Sequence, residues 1–132
     1  MALARLMAGA SLWRWLLFAA MLTMLVLCLA PASAPLPSTG WDKGNHALGF
    51  AVLALLAHRA WLGRTVPVLS GLLAYAGLIE VLQSFTPDRF AEWGDIAASG
   101  VGLLIGEALA RWIWRRIPGR PGRACEQAGE DS

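Results

Sequence analysis

The chain has 132 residues, enough for one domain. Hydrophobic residues make up 57% of it and charged residues 15%, against about 45–50% and about 25% in soluble domains, so the composition points to a membrane protein. A formal net charge of +2 is too small to argue for a nucleic-acid partner, and two cysteines, Cys28 and Cys125, make no disulfide framework.

Residues 1–14 form a short basic lead carrying Arg5 and Arg14. Residues 15–30 are an uncharged apolar run, the first expected helix. The stretch Pro31-Ala-Ser-Ala-Pro-Leu-Pro-Ser-Thr-Gly40 cannot continue a helix. A basic lead, an apolar run and Ala32-Ser33-Ala34 also fit a secretory signal peptide. Pro35 directly after the would-be cut, and the apolar character of the rest, favour a retained transmembrane helix instead.

Three more apolar segments follow, at 45–62, 66–85 and 95–117. Pro67 suits a first helical turn. The expected fold is all-α: a four-helix transmembrane bundle, the membrane domain covering residues 15–117. The tail 118–132 is polar, rich in Gly and Pro, and expected to be disordered.

No single segment is a clean run of 18 uncharged residues, so a soluble four-helix bundle is a rival. Charge and tryptophan decide against it. With alternating spans and a cytoplasmic N-terminus, Arg5, Arg14, Arg59, Arg64, Arg111, Arg115, Arg116, Arg120 and Arg123 lie inside. Lys43 and Arg89 alone lie outside, which satisfies the positive-inside rule. All seven tryptophans fall near segment ends, where aromatic belts form. Small residues at Ala98, Gly102 and Gly106 predict a close-packing face on the fourth helix. Gly71, Ala74 and Gly77 predict a similar face on the third. The glycines from Gly100 to Gly106 miss the nucleotide-binding spacing and follow no strand.

Under this topology the polar residues collect at the outer end. Asp42, Lys43 and His46 open the second helix; Glu80 and Gln83 lie near the end of the third; Arg89 and Glu92 lie in the loop; Asp95 and Ser99 open the fourth. Glu80/Gln83 are three apart and Asp95/Ser99 four apart, so each pair shares a helix face, and Asp42/His46, four apart, share one if the second helix starts early enough. Glu80 sits six residues before Thr86, about 9 Å along a helix at 1.5 Å per residue. A carboxylate inside a membrane helix needs an interior partner. The preferred one is Arg89, with His46 nearby. Asp42 and Asp95 also suit capping roles, Asp42 accepting from the Asn45 N–H. Glu107 and Arg111 are four apart and predict a structural pair at the inner end. His58 and Arg59 read as inner-end anchors.

These residues resemble the VanZ-like family of small bacterial membrane proteins. The matches are Asp42-Lys43-x-x-His46 followed by Phe50, then Glu80-x-x-Gln83, then Arg89, Glu92, Asp95, Gly102 and Gly106. They run from about Trp41 to Gly106, and their order and spacing carry the resemblance. Ser99 departs from it, since the family commonly has Asn there. The resemblance implies a multi-pass protein of the bacterial cytoplasmic membrane. It implies location and fold more than mechanism; the family's name comes from a protein linked to teicoplanin resistance.

Three functions fit the outer pocket. In the first, it binds an envelope lipid head group, a cell-wall precursor or an amphiphilic antibiotic through Asp42, Lys43, His46, Glu80, Gln83, Arg89 and Asp95. In the second, the protein is an enzyme acting on a lipid-linked phosphate or sugar, with His46 as general base or nucleophile and Glu80 as the other catalytic candidate. The third is a small transporter working through Glu80, for which no polar route leads onward between Glu80 and Pro67. Binding is preferred. No cofactor is expected. One histidine with scattered carboxylates is a weak zinc signature, so no metal is expected either, although His46, Glu80 and Asp95 are a conceivable set.

Overall fold

A computed structural model describes residues 2–31, 33–35, 41–87 and 90–116, with side chains from residue 9 onward. Asp88, Arg89, Cys125 and the tail 118–132 lie outside the described residues. The described chain folds as α1 (Ala2–Leu29), α2 (Asp42–Ala60), α3 (Thr65–Gln83) and α4 (Trp93–Arg116), with no strand among the described residues.

Helix α1 is longer than the apolar run that signals it. It takes in the basic lead from Ala2, because Ala2-Leu-Ala-Arg-Leu-Met-Ala8 are strong helix formers with no breaker among them. Helix α2 opens earlier than expected, at Asp42, after Trp41 in extended conformation. Helix α4 opens at Trp93 rather than at 95. Between α2 and α3 the chain reverses in four residues. Gly63 at φ 82° makes that turn, a left-handed conformation that suits glycine. Pro67 then falls in the first turn of α3, where its missing N–H would have had no helical acceptor.

Helix α2 is the hub. It packs most extensively against α4 and next against α1, while α3 leans mainly on α4. The α2–α4 contact is close because Gly102 and Gly106 lie against the backbone of Ala47 and Ala51; a Cβ on either glycine would overlap that backbone. The expected small-residue face of α4 is thus the seam of the bundle. The face expected on α3 is not: Gly71 and Gly77 have nothing within 4 Å of an added Cβ. Helix α3 meets its neighbours through larger side chains, with Leu72, Ala76 and Ile79 buried against Phe50, Leu53 and Leu103 in one core.

The outer surface of the bundle is apolar. Leu22, Val26, Leu78, Val81, Leu104 and Ile105 are all exposed. A water-soluble bundle would present polar residues there; lipid chains are the solvent that this surface suits. Gly9–Leu29, Thr65–Gln83 and Trp93–Arg116 are long and apolar enough to cross a membrane. Helix α2 does not meet that composition, because it opens on Asp-Lys-Gly-Asn-His and closes on His58-Arg59. It is also the helix most enclosed by the others, and its His46 is buried among them.

The end of the bundle holding the α2–α3 turn is braced by a polar network. Glu107 accepts from Arg111 Nε at 2.7 Å, from Thr65 Oγ1 at 3.3 Å, and lies 3.1 Å from His58 Nδ1. The expected Glu107–Arg111 pair is therefore part of a larger cluster. Arg59 lies over Trp114, 4.5 Å from its ring centre, and over Trp13 at 5.7 Å; Arg14 lies over Trp61 and donates to the Ala60 carbonyl at 3.2 Å. These cation–π contacts anchor α1, α2 and α4 to one another at this end.

Candidate functional site

The opposite end holds the expected polar cluster, but in a tighter form. His46 on α2, Glu80 on α3 and Asp95 on α4 are all buried, with one ligand-type atom from each lying within 4.8 Å of the others. The α2–α4 seam brings this about. Gly102 against Ala47 pulls the first turns of the two helices together, so Ser99, fully buried, reaches His46.

Each member has a defined set of partners. Ser99 Oγ donates to the Asp95 carbonyl at 2.8 Å and lies 3.4 Å from His46 Nδ1. Its single hydrogen is thus committed to the carbonyl, so its oxygen accepts from an Nδ1–H on His46. The other ring nitrogen, Nε2, faces Glu80 Oε1 at 3.9 Å. Glu80 Oε2 accepts the backbone N–H of Glu92 at 3.0 Å, which ties the α3–α4 loop down over the site. Glu80 Oε1 and Asp95 Oδ1 are buried and have no hydrogen-bond partner among the described residues. Phe50 stacks parallel to the His46 ring, centroids 6.5 Å apart, and forms the apolar floor.

Lys43 covers the rim. Its Nζ donates to Glu92 Oε2 at 2.5 Å and lies 3.6 Å from Asp95 Oδ1. It passes over Gly94, where any Cβ would meet its side chain. That hydrogen bond holds the Glu92 carboxyl below the usual carboxylate range. Both partners remain substantially exposed.

The expected site residues divide accordingly. Lys43, His46, Glu80 and Asp95 come together. Gln83 does not join them: its Nε2 donates to the Cys28 carbonyl at 2.9 Å, fastening α3 to α1, as Tyr75 does through Met21 at 2.6 Å. Asp42 is exposed in the first turn of α2. Its expected cap position is filled by Trp41, whose carbonyl accepts the Asn45 N–H at 3.0 Å. Asp95 is likewise within α4 rather than at its cap, and turns inward. Arg89, the preferred partner of Glu80, lies outside the described residues. Two residues that the sequence placed at this end have partners it did not predict: Ser99 orients His46, and Glu92 joins Lys43 to Glu80. The four-residue spacing of Ser99 from Asp95 was the available signal for the first.

Chemically, the arrangement offers an imidazole nitrogen and two carboxylate oxygens within 4.8 Å of one another, with an ammonium at the edge. No protein-family model, no curated protein and no solved structure matches the chain.

Proposed function

We propose that the chain is an integral protein of the bacterial cytoplasmic membrane, similar to the VanZ-like family, whose outward-facing pocket binds the polar head of an anionic envelope amphiphile. A membrane phospholipid or a lipid-linked cell-wall precursor has the required chemistry, and an amphiphilic antibiotic would compete for the same place. The observation that carries this reading is the convergence of His46, Glu80 and Asp95 from three helices beneath an exposed Lys43–Glu92 pair. Buried polar groups at the end of an otherwise apolar bundle are costly, and in membrane proteins they mark binding or transport sites. On this reading an acyl chain would lie along the apolar flank of the bundle, and Lys43 would meet the head group.

The one buried hydroxyl described at the site does not add a serine nucleophile to the enzyme reading. Ser99 is enclosed and its proton is engaged by the Asp95 carbonyl, so it is not a poised nucleophile. The enzyme reading rests on His46, whose Nε2 faces Glu80 and would act as a general base, and on Glu80.

Native mass spectrometry of the full chain released from membranes tests the proposal. The wild type is expected to retain an anionic lipid selectively, and His46→Ala with Glu80→Gln to lose it. The same lipid profile in both would sink the reading. A reporter fused at Arg64 is expected on the cytoplasmic side; an outer Arg64 would reverse the proposed orientation.

A further inference from the structure

We infer that His46, Glu80 and Asp95 form a binding site for one divalent metal ion. The three residues come from α2, α3 and α4, and each offers one donor atom within 4.8 Å of the others. Around a tetrahedral zinc ion, donors at about 2.1 Å stand roughly 3.4 Å apart. The set therefore closes on an ion by side-chain movements of about 1 Å, with no helix displaced.

Three features call for a cation here. Among the described residues, Glu80 Oε1 and Asp95 Oδ1 are both buried without a hydrogen-bond donor, on residues only 4% and 7% exposed. An unpaired buried carboxylate oxygen is expensive, and a bound cation is one of the few things that offsets it. The histidine is oriented as a ligand. Ser99 accepts from Nδ1–H, which leaves the Nε2 lone pair turned towards Glu80 Oε1 at 3.9 Å. Two lone pairs facing each other across that gap repel, and a proton or a metal ion between them relieves it. Metal-bound histidines are held in this way, by a hydrogen bond from the nitrogen that does not bind. Lastly, the one described ammonium near the site does not fill this role. Lys43 reaches Asp95 Oδ1 only at 3.6 Å, with its shorter contact to Glu92.

The donor set selects the ion. One imidazole and two carboxylates, with no thiolate, suit zinc or manganese rather than a soft monovalent metal. Three protein donors leave at least one coordination position for water or an added oxygen ligand. The role of that position rests on the head-group reading: a phosphate oxygen would occupy it, and the ion would give a carboxylate-lined pocket the positive charge that an anionic head requires. The metal site itself is tested with metal alone, so the two ideas fail separately.

The test uses the full-length protein in detergent, stripped with a chelator and titrated with Zn²⁺ by calorimetry, with Co²⁺ absorption and Mn²⁺ electron paramagnetic resonance as spectroscopic probes. One ion per chain is expected. Glu80→Gln and Asp95→Asn should each weaken binding at least 10-fold, and Ser99→Ala about 10-fold through loss of histidine orientation. His58→Ala, at the other end, should leave binding unchanged. Lys43→Met removes a competing cation and should bind as tightly or more tightly, an outcome that general structural damage would not produce. Arg89→Met should also keep the stoichiometry. No stoichiometric binding by the wild type, undiminished binding by Glu80→Gln and Asp95→Asn, or weakened binding by Lys43→Met or Arg89→Met would overturn the assignment. Lipid retention without metal binding would remove the metal site and leave the head-group reading standing.

Discussion

Glu80 Oε1 lies 3.9 Å from His46 Nε2, and both residues are almost wholly buried. The second oxygen of Glu80 is held by the Glu92 N–H, so the carboxylate cannot turn away from the histidine without releasing the loop.

Glu80→Gln follows from that relationship. The amide oxygen can still accept the Glu92 N–H, and the variant no longer carries a charge that costs roughly 2.5–3.5 kcal/mol at a helix centre and less near its end. Thermal melting in detergent is expected to stay level or rise, while head-group binding is lost. A melting temperature that falls by several degrees would show that the carboxylate is a structural partner of His46.

The α2–α4 seam makes a contrast between glycines. Gly102→Ala places a methyl group into the Ala47 backbone, and overpacking of this kind costs about 1–3 kcal/mol. Gly77→Ala and Gly71→Ala face open space, and should be neutral or stabilising by up to about 1 kcal/mol. Unfolding in mixed micelles measures both. Because Gly102 sets the distance between His46 and Ser99, its variant should lose ligand binding as well. A harmless Gly102→Ala would mean that the helices do not meet there.

The Lys43–Glu92 pair predicts a pH dependence. Lys43 lowers the folded-state pKa of Glu92. A depressed carboxylate contributes stability that is present above its unfolded value, about 4.3, and is lost as pH falls through the lower folded value. The wild type should therefore melt above Glu92→Gln at neutral pH, with the gap closing below about pH 4. The effect should be small and screened by salt, as both groups are exposed. A gap that widens on acidification would contradict the pairing.

At the other end, Glu107→Gln keeps the shape of the side chain but weakens bonds from Arg111, Thr65 and His58. Hydrogen bonds to a charged group are worth about 1.5–3 kcal/mol each when removed. With Arg111 half exposed, a loss of about 1–3 kcal/mol in unfolding free energy is expected. Head-group and metal binding, measured on the same protein, should be unchanged because the cluster is remote from His46.

The order of polar and apolar residues was sufficient for the all-α fold, for the apolar exterior, for the small-residue face of α4 and for a polar cluster at one end. These depend on local composition and on spacings of three or four, which a helix converts directly into faces. Spacing could not say which polar residue turns towards which neighbour. Asp42 and Gln83 share helices and even faces with His46 and Glu80, yet one is exposed at the helix start and the other bonds to α1. Tertiary structure decided that through the contact of Gly102 with Ala47, which fixes how α2 and α4 rotate against each other. That rotation brings Ser99 to His46, turns Asp95 inward, and makes three separated residues one site. The physical reason is that rotation of a helix about its axis is set by packing with its partners, and those contacts join residues about fifty positions apart in the chain.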